Sequence, residues 1–156
     1  MFGLINKGVN EYKRIDVETG VVDANPQRLI VMLYEGAIEA CQTGLMHMRQ
    51  QNVEQKGESL SKAIMIIESG LRLALEKNEG GEIAESLDTL YGYISNRIYL
   101  GHLQNNPDFV LEAIKLMVEL KSAWEAIANV QATAAQNAAT VASGNRMFGQ
   151  SILAKG

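Results

Sequence analysis

One cysteine, one tryptophan, two prolines and three phenylalanines stand in a chain of 156 residues. The lone Cys41 excludes an intramolecular disulfide framework and any zinc site built from cysteines. No apolar run reaches the ~18 residues that a membrane-spanning helix needs. The opening residues Met1-Phe2-Gly3-Leu4-Ile5-Asn6-Lys7 carry neither a basic start with a long apolar stretch nor a small-residue cleavage site. The expectation is a soluble protein of the cytosol, with no membrane contact. Basic residues number 14 against 18 acidic ones, so the net charge is −4. Phosphate neutralisation needs a clustered excess of Lys and Arg, so this balance argues against nucleic acid as a partner.

Acid is missing altogether after Ile127, where Arg146 and Lys155 are the only charged side chains. The tail is therefore +2 and the first 127 residues hold −6. Seven of the fifteen residues in Ala128–Ala142 are alanine, interleaved with Gln, Asn and Thr. The composition shift divides a domain over 1–128 from an Ala-rich tail over 129–156. Such a tail has too few large apolar groups to bury a core of its own.

What is present is helical periodicity. Residues 1–24 show no sustained period and are expected to be extended or a short helix. Asn25-Pro26 then reads as a helix start, asparagine capping free N–H groups and proline suiting the first helical position. Leu29, Leu33, Ala37, Ala40, Cys41, Leu45 and Met48 follow at helical steps, predicting a helix over about 26–51. Leu60, Ile64, Ile67, Leu71 and Ala74 predict a second over 53–77, closed by Asn78-Glu79-Gly80-Gly81. Ile83, Leu87, Leu90, Tyr91, Ile94 and Ile98 predict a third over 82–104. After Asn106-Pro107, Val110, Leu111, Ile114, Met117, Val118, Trp124 and Ile127 predict a fourth over 107–128. Strand-like alternation is nearly absent after residue 25. The fold class is all-α, an antiparallel four-helix bundle with short joints. The Ala-rich tail either extends the fourth helix, lies in a groove or stays mobile.

No arrangement for catalysis is found. The Asn78–Gly81 joint lacks the third glycine or the Lys-Ser/Thr that cradles phosphate. A di-iron bundle needs Glu-x-x-His pairs, whereas Gly44 precedes His47 by three residues and Tyr99 precedes His102. His102 is read as a partly protonated imidazole at a helix C-terminus, favoured by the dipole there. Cys41 lies on an apolar stripe and reads as core. The expectation is no enzyme, no cofactor and no metal.

Binding surface is the remaining source of function. Met32, Met46, Met48, Met65 and Met117 are adaptable side chains of the kind that accept several partner shapes. Tyr12, Tyr34, Tyr91, Tyr93 and Tyr99 offer contact area with a polar handle. The third helix carries Tyr91, Ile94 and Ile98 on one face and Tyr93, Asn96, Leu100 and Leu103 on another. A helix apolar on two faces favours a hydrophobic groove for an amphipathic partner.

These residues also resemble a known family in an ordered series. Val17-Glu18-Thr19, then Asn25-Pro26-x-x-Leu29-x-x-Met32-Leu33-Tyr34-Glu35-Gly36-Ala37-Ile38, is similar to the opening signature of the FliS-type flagellar secretion chaperones. Lys77-x-x-Gly80-Gly81-Glu82-Ile83-Ala84-Glu85-x-Leu87-x-x-Leu90-Tyr91-x-Tyr93 is similar to its second signature. Arg97, Asn105 to Asp108 and Glu119-Leu120-x-x-x-Trp124-x-x-Ile127 follow in order. The resemblance covers about residues 10–128. It implies a cytosolic export chaperone that binds the C-terminal segment of flagellin, blocks premature polymerisation and supports type III export. It further implies partner contacts at Tyr12, Met32, Tyr34, Tyr91 and Ile94, and an N-terminal segment able to cover part of the groove. A regulatory adaptor for other flagellar or translational regulators is the alternative function, and a homodimer in which the groove meets its own copy is a further reading. The Ala-rich tail has no counterpart in the family's pattern.

Overall fold

A computed structural model describes residues 26–76 and 80–154. Helix α1 is Pro26–Arg49, and α2 comprises Val53–Ile66, a π-helical turn at Ile67–Leu71 and Arg72–Glu76. Helix α3 is Gly81–Leu103, and α4 runs without a break over Pro107–Ala154. No strand occurs among the described residues. The all-α bundle expected from the periodicity is therefore observed.

Local chemistry accounts for the joints. At the start of α4 the Asn106 side-chain oxygen accepts the Asp108 backbone N–H at 3.0 Å, leaving Pro107 at the first helical position. The equivalent Asn25 lies outside the described residues. Both α1 and α3 end on a left-handed residue, Gln51 at φ 60° and Asn105 at φ 52°. The next residue then reaches back five positions: the Asn52 N–H donates to the His47 carbonyl and that of Asn106 to the Gly101 carbonyl, each at 2.9 Å. Lys56, buried near the start of α2, completes the α3 cap by donating to the His102 carbonyl at 3.3 Å and to Asn105 Oδ1 at 3.1 Å.

Short joints make consecutive helices antiparallel. Helix α1 lies beside α2 and α4, α3 lies beside the same two, and α1 and α3 face each other across the diagonal. Close approach is achieved by glycine at α3–α4, where a Cβ on Gly101 would stand 2.6 Å from Val110 Cγ2 and 3.1 Å from the Asn106 carbonyl. The core holds Leu33, Tyr34, Ala37, Cys41, Leu60, Ile67, Leu71, Tyr91, Ile94, Ile98, Val110 and Met117. In α2 the helical ladder widens by one residue at the π turn while Ile67 and Leu71 both stay inward.

Three surface ties fix neighbouring helices. Arg72 bridges Glu68 and Asp88, each at 2.8 Å, linking α2 to α3. Arg97 of α3 pairs with Glu112 of α4 at 2.7 Å, and Lys121 of α4 approaches Glu35 of α1 at 3.6 Å. Of the three alternatives for the tail, the backbone is helical: α4 passes residue 128 and continues to Ala154. Ala128 is buried, while residues 129–134 are exposed.

Candidate functional site

Three of the residues offered to a partner by the sequence lie inside the bundle. Tyr34 and Ile94 have no exposed surface and Tyr91 has 1%. Their burial has a physical reason that sequence spacing hides. The Tyr34 and Tyr91 hydroxyls share a 2.5 Å hydrogen bond across the α1–α3 diagonal, with ring centroids 6.2 Å apart and tilted by 56°. The Trp124 indole of α4 packs against this core and holds both pKa values lower than burial alone would. Each polar handle is thus satisfied by another, so the aromatic bodies can occupy the core. Burial raises the pKa of both phenols above the ordinary 10, and in Tyr34 the neighbouring Tyr91 adds to the effect. Both hydroxyls stay neutral. Met32 is half-buried and stands outside the core cluster, and Tyr12 lies outside the described residues.

The apolar surface that is exposed lies elsewhere. The Glu35–Lys121 contact sets the level of α1 against α4. Because the two run antiparallel, eleven residues along α1 from Glu35 to Met46 match the same distance back along α4, to Val110 and its neighbour Leu111. Val118 stands at the level of Ile38 by the same count. Met46, Leu111 and Val118 are 46%, 44% and 48% exposed. At the Met46 end, Gln42, Leu45, Met46, Arg49 and Gln50 line an open depression of about 380 Å³. The depression is lined only by α1 and the Gln50 that follows it, and exposed Leu111 and Val118 stand on neighbouring α4, thioether and branched side chains of the chemistry suited to an amphipathic helix.

The signal for it was present in the fourth stripe. Val110, Met117 and Trp124 repeat every seven residues and face inward, whereas Leu111 and Val118 repeat one position later and face out. Read as one stripe, the two faces merge; read by heptad, they separate.

The second face of α3 is partly occupied by its own neighbours. The Tyr93 hydroxyl donates to Glu112 Oε1 at 2.5 Å. The Arg97 guanidinium lies 3.9 Å from the Phe109 ring centroid and 5.7 Å from that of Tyr93. These contacts pin α3 to α4. Tyr99 and Leu103 remain exposed beyond them.

His102 stands at the end of α3, where the sequence places a partly protonated imidazole. Desolvation, and then the Lys56 ammonium beside it, push its pKa below the ordinary 6.5. The cation completing the α3 C-terminus is Lys56. Cys41 is core, as expected, and burial pushes its thiol up to about 12. Among the described residues, no group of three His, Cys, Asp or Glu side chains is placed to hold a metal ion. No helix among them is long and apolar enough to cross a membrane.

Comparison with known proteins gives a consistent result. The family model described as "Flagellar protein FliS" matches residues 8–131. The flagellar secretion chaperone FliS of Salmonella typhimurium is 38% identical over 120 residues, 77% of this chain and 89% of that protein. Its counterpart in Vibrio cholerae is 40% identical over 116 residues, 74% of this chain and 85% of that protein. The flagellar secretion chaperone FliSB of Pseudomonas aeruginosa is 37% identical over 123 residues, 79% of this chain and 97% of that protein.

Proposed function

The chain belongs to the FliS family of flagellar secretion chaperones, and on that premise we propose that it binds the C-terminal segment of flagellin in the cytosol. Bound there, the segment is kept from premature polymerisation and held ready for type III export. The observation that carries this reading is the exposed α1–α4 seam of Met46, Leu111 and Val118. A disordered client loses chain entropy when it folds on the bundle, offset by apolar burial worth about 25 cal/mol per Å². One seam is too short for that exchange to be strongly favourable. The client therefore also wraps onto Met32 and the exposed Tyr99 and Leu103 of α3. In this reading Tyr34, Tyr91 and Ile94 act from beneath, as the rigid floor that sets helix spacing, and Tyr12 belongs to the segment that competes with the client.

Calorimetry with a peptide of flagellin's C-terminal region tests the proposal. Tight binding to the wild-type chain is expected, with a loss of at least tenfold for Met46→Glu combined with Val118→Glu. Undiminished affinity for a flagellin lacking that segment would overturn the reading.

A further inference from the structure

The depression at the end of α1 has a lining whose chemistry is one-sided. Its residues are Gln42, Leu45, Met46, Arg49 and Gln50, and none of them is acidic. Leu45 is buried and Met46 is half-exposed, so together they make an apolar floor. Beside that floor stand donors. Arg49 carries five N–H groups in a fixed fork and has no acceptor. The Gln50 side-chain oxygen already accepts from Asn52 Nδ2 at 3.2 Å, which leaves the Gln50 amide nitrogen to donate. Gln42 adds a second amide.

Arg49 differs from the arginines that tie the helices together. Arg72 holds Glu68 and Asp88, and Arg97 holds Glu112. Arg49 is exposed and pairs with no carboxylate among the described residues. A cation on the last residue of α1 is favoured by the helix dipole. That preference accounts for its charge, and leaves unexplained why amide donors and an apolar floor meet it in one hollow. Size narrows the occupant. One helical turn, about 10 Å across and 5.4 Å long, fills roughly 420 Å³. A hollow of about 380 Å³ therefore receives less than a turn, the end of a chain and not its middle. Helix α1 itself stops at Arg49, so a segment lying along it runs out of helix surface at this level.

We propose that this depression receives a free α-carboxylate, that of the client's last residue. The inference rests on the client reading above and adds a fixed end point to it. The two carboxylate oxygens accept a parallel pair of N–H bonds from the Arg49 fork, a geometry that lysine does not supply. Gln50 donates to one of the same oxygens, and an apolar terminal side chain lies on Leu45 and Met46. The client thereby binds in one direction and one register, with its end at Arg49.

Calorimetry on the full chain tests it with three synthetic forms of the client peptide. One ends in the free acid, one in the amide, and one carries two extra glycines before the free acid. Amidation removes the charge, whereas the glycines keep it but displace it by up to ~7 Å. Each change is expected to weaken binding about tenfold, the size of a lost charge-assisted pair. Arg49→Gln should bring the free-acid peptide down to the affinity of the amide, with the urea midpoint unchanged. Arg49→Lys should restore only part of the difference. Equal affinity of the wild-type chain for acid and amide would overturn the proposal and leave the client reading standing. So would an amidation loss that survives Arg49→Gln. Undiminished binding of the glycine-extended form would overturn it too, by showing attraction at a distance in place of a seated carboxylate. If none of the three peptides binds, the client reading fails and this site fails with it.

Discussion

From Pro107 to Ala128, α4 buries Val110, Ala113, Met117 and Ala128 against α1 and α3; from residue 129 the described side chains of the same helix are exposed. The backbone does not register the change. In the first part a buried branched or thioether side chain contributes about 1.5–3 kcal/mol, and helix formation is driven by packing. In the second, alanine's propensity is the main intrinsic support, and it amounts to a few tenths of a kcal/mol per residue over its neighbours. One helix therefore contains a part specified by what it touches and a part specified by what it avoids, namely charge, bulk and proline. The difference teaches that helicity alone does not identify a domain's core. Among the described side chains, the last buried one is Ala128, beside the acid-free boundary read from the sequence.

Removing apolar groups on the two sides of that boundary should break the comparison if it is false. Ile94→Ala in the core is expected to destabilise by about 2–5 kcal/mol, seen as a lower urea midpoint with unchanged slope. Val130→Ala, in the extension beyond residue 128, is expected to stay within about 0.5 kcal/mol of wild type. Comparable losses at both positions would mean that the extension is packed into the same cooperative unit.

A tighter test adds atoms. At Gly101 a methyl group would collide with Val110 and with the Asn106 carbonyl, a backbone atom that cannot rotate aside. Gly101→Ala is expected to destabilise by about 1–3 kcal/mol, whereas the helix propensity gain alone would stabilise by up to about 1 kcal/mol. The sign of the measured change decides which effect wins at the α3–α4 contact. Gly144→Ala in the extension is expected to carry the propensity gain, visible as an increase in helical circular dichroism.

The helices and most of their ends were legible in the sequence because period and capping agree. Asn106-Pro107 announces α4, and Asn105 and Gln51 close their helices by local hydrogen bonds within six residues. The location of partner surface was less legible. Tyr34 and Tyr91 are 57 positions apart, and nothing local announces that their hydroxyls meet each other. A lone tyrosine therefore reads as a surface handle when it is core. Leu111 and Val118 were concealed in the opposite way, since an outward heptad one position from an inward one looks like a single broad stripe. The lowered pKa of His102 was not legible, because the Lys56 ammonium that adds to its desolvation comes from another helix.

The Tyr34–Tyr91 pair also separates the two regions. Tyr34→Phe strands the Tyr91 hydroxyl in the core and is expected to cost about 1–3 kcal/mol. The Tyr34→Phe, Tyr91→Phe double variant should lose less than the sum of the single losses, the sign of direct coupling. Additive losses would show that the two hydroxyls do not depend on each other. Thr140→Val in the extension removes a hydroxyl bonded only to the Gln136 carbonyl of its own helix, at 2.9 Å, and should change stability by no more than about 0.5 kcal/mol.

The smallest expected effect is the dependence on pH, and it sharpens the boundary because the extension contains no histidine, aspartate or glutamate. His102 titrates below its ordinary 6.5 when folded, so the unfolded chain binds more protons in that interval. Stability from the neutral imidazole is complete above 6.5 and declines as pH falls through the folded value. Asp88, held low chiefly by its hydrogen bond to Arg72, and Glu112, held low first by Tyr93 and then by Arg97, act in a lower window. Their contribution is present above their ordinary values of 3.8 and 4.5 and is lost on further acidification. The urea midpoint should therefore fall in two stages between pH 7 and 3. His102→Gln should flatten the first stage and leave the second, and truncation after Ala128 should alter neither. A truncated chain with a different profile would place a titrating contact between the extension and the acidic body, and the division at residue 128 would have to move outward.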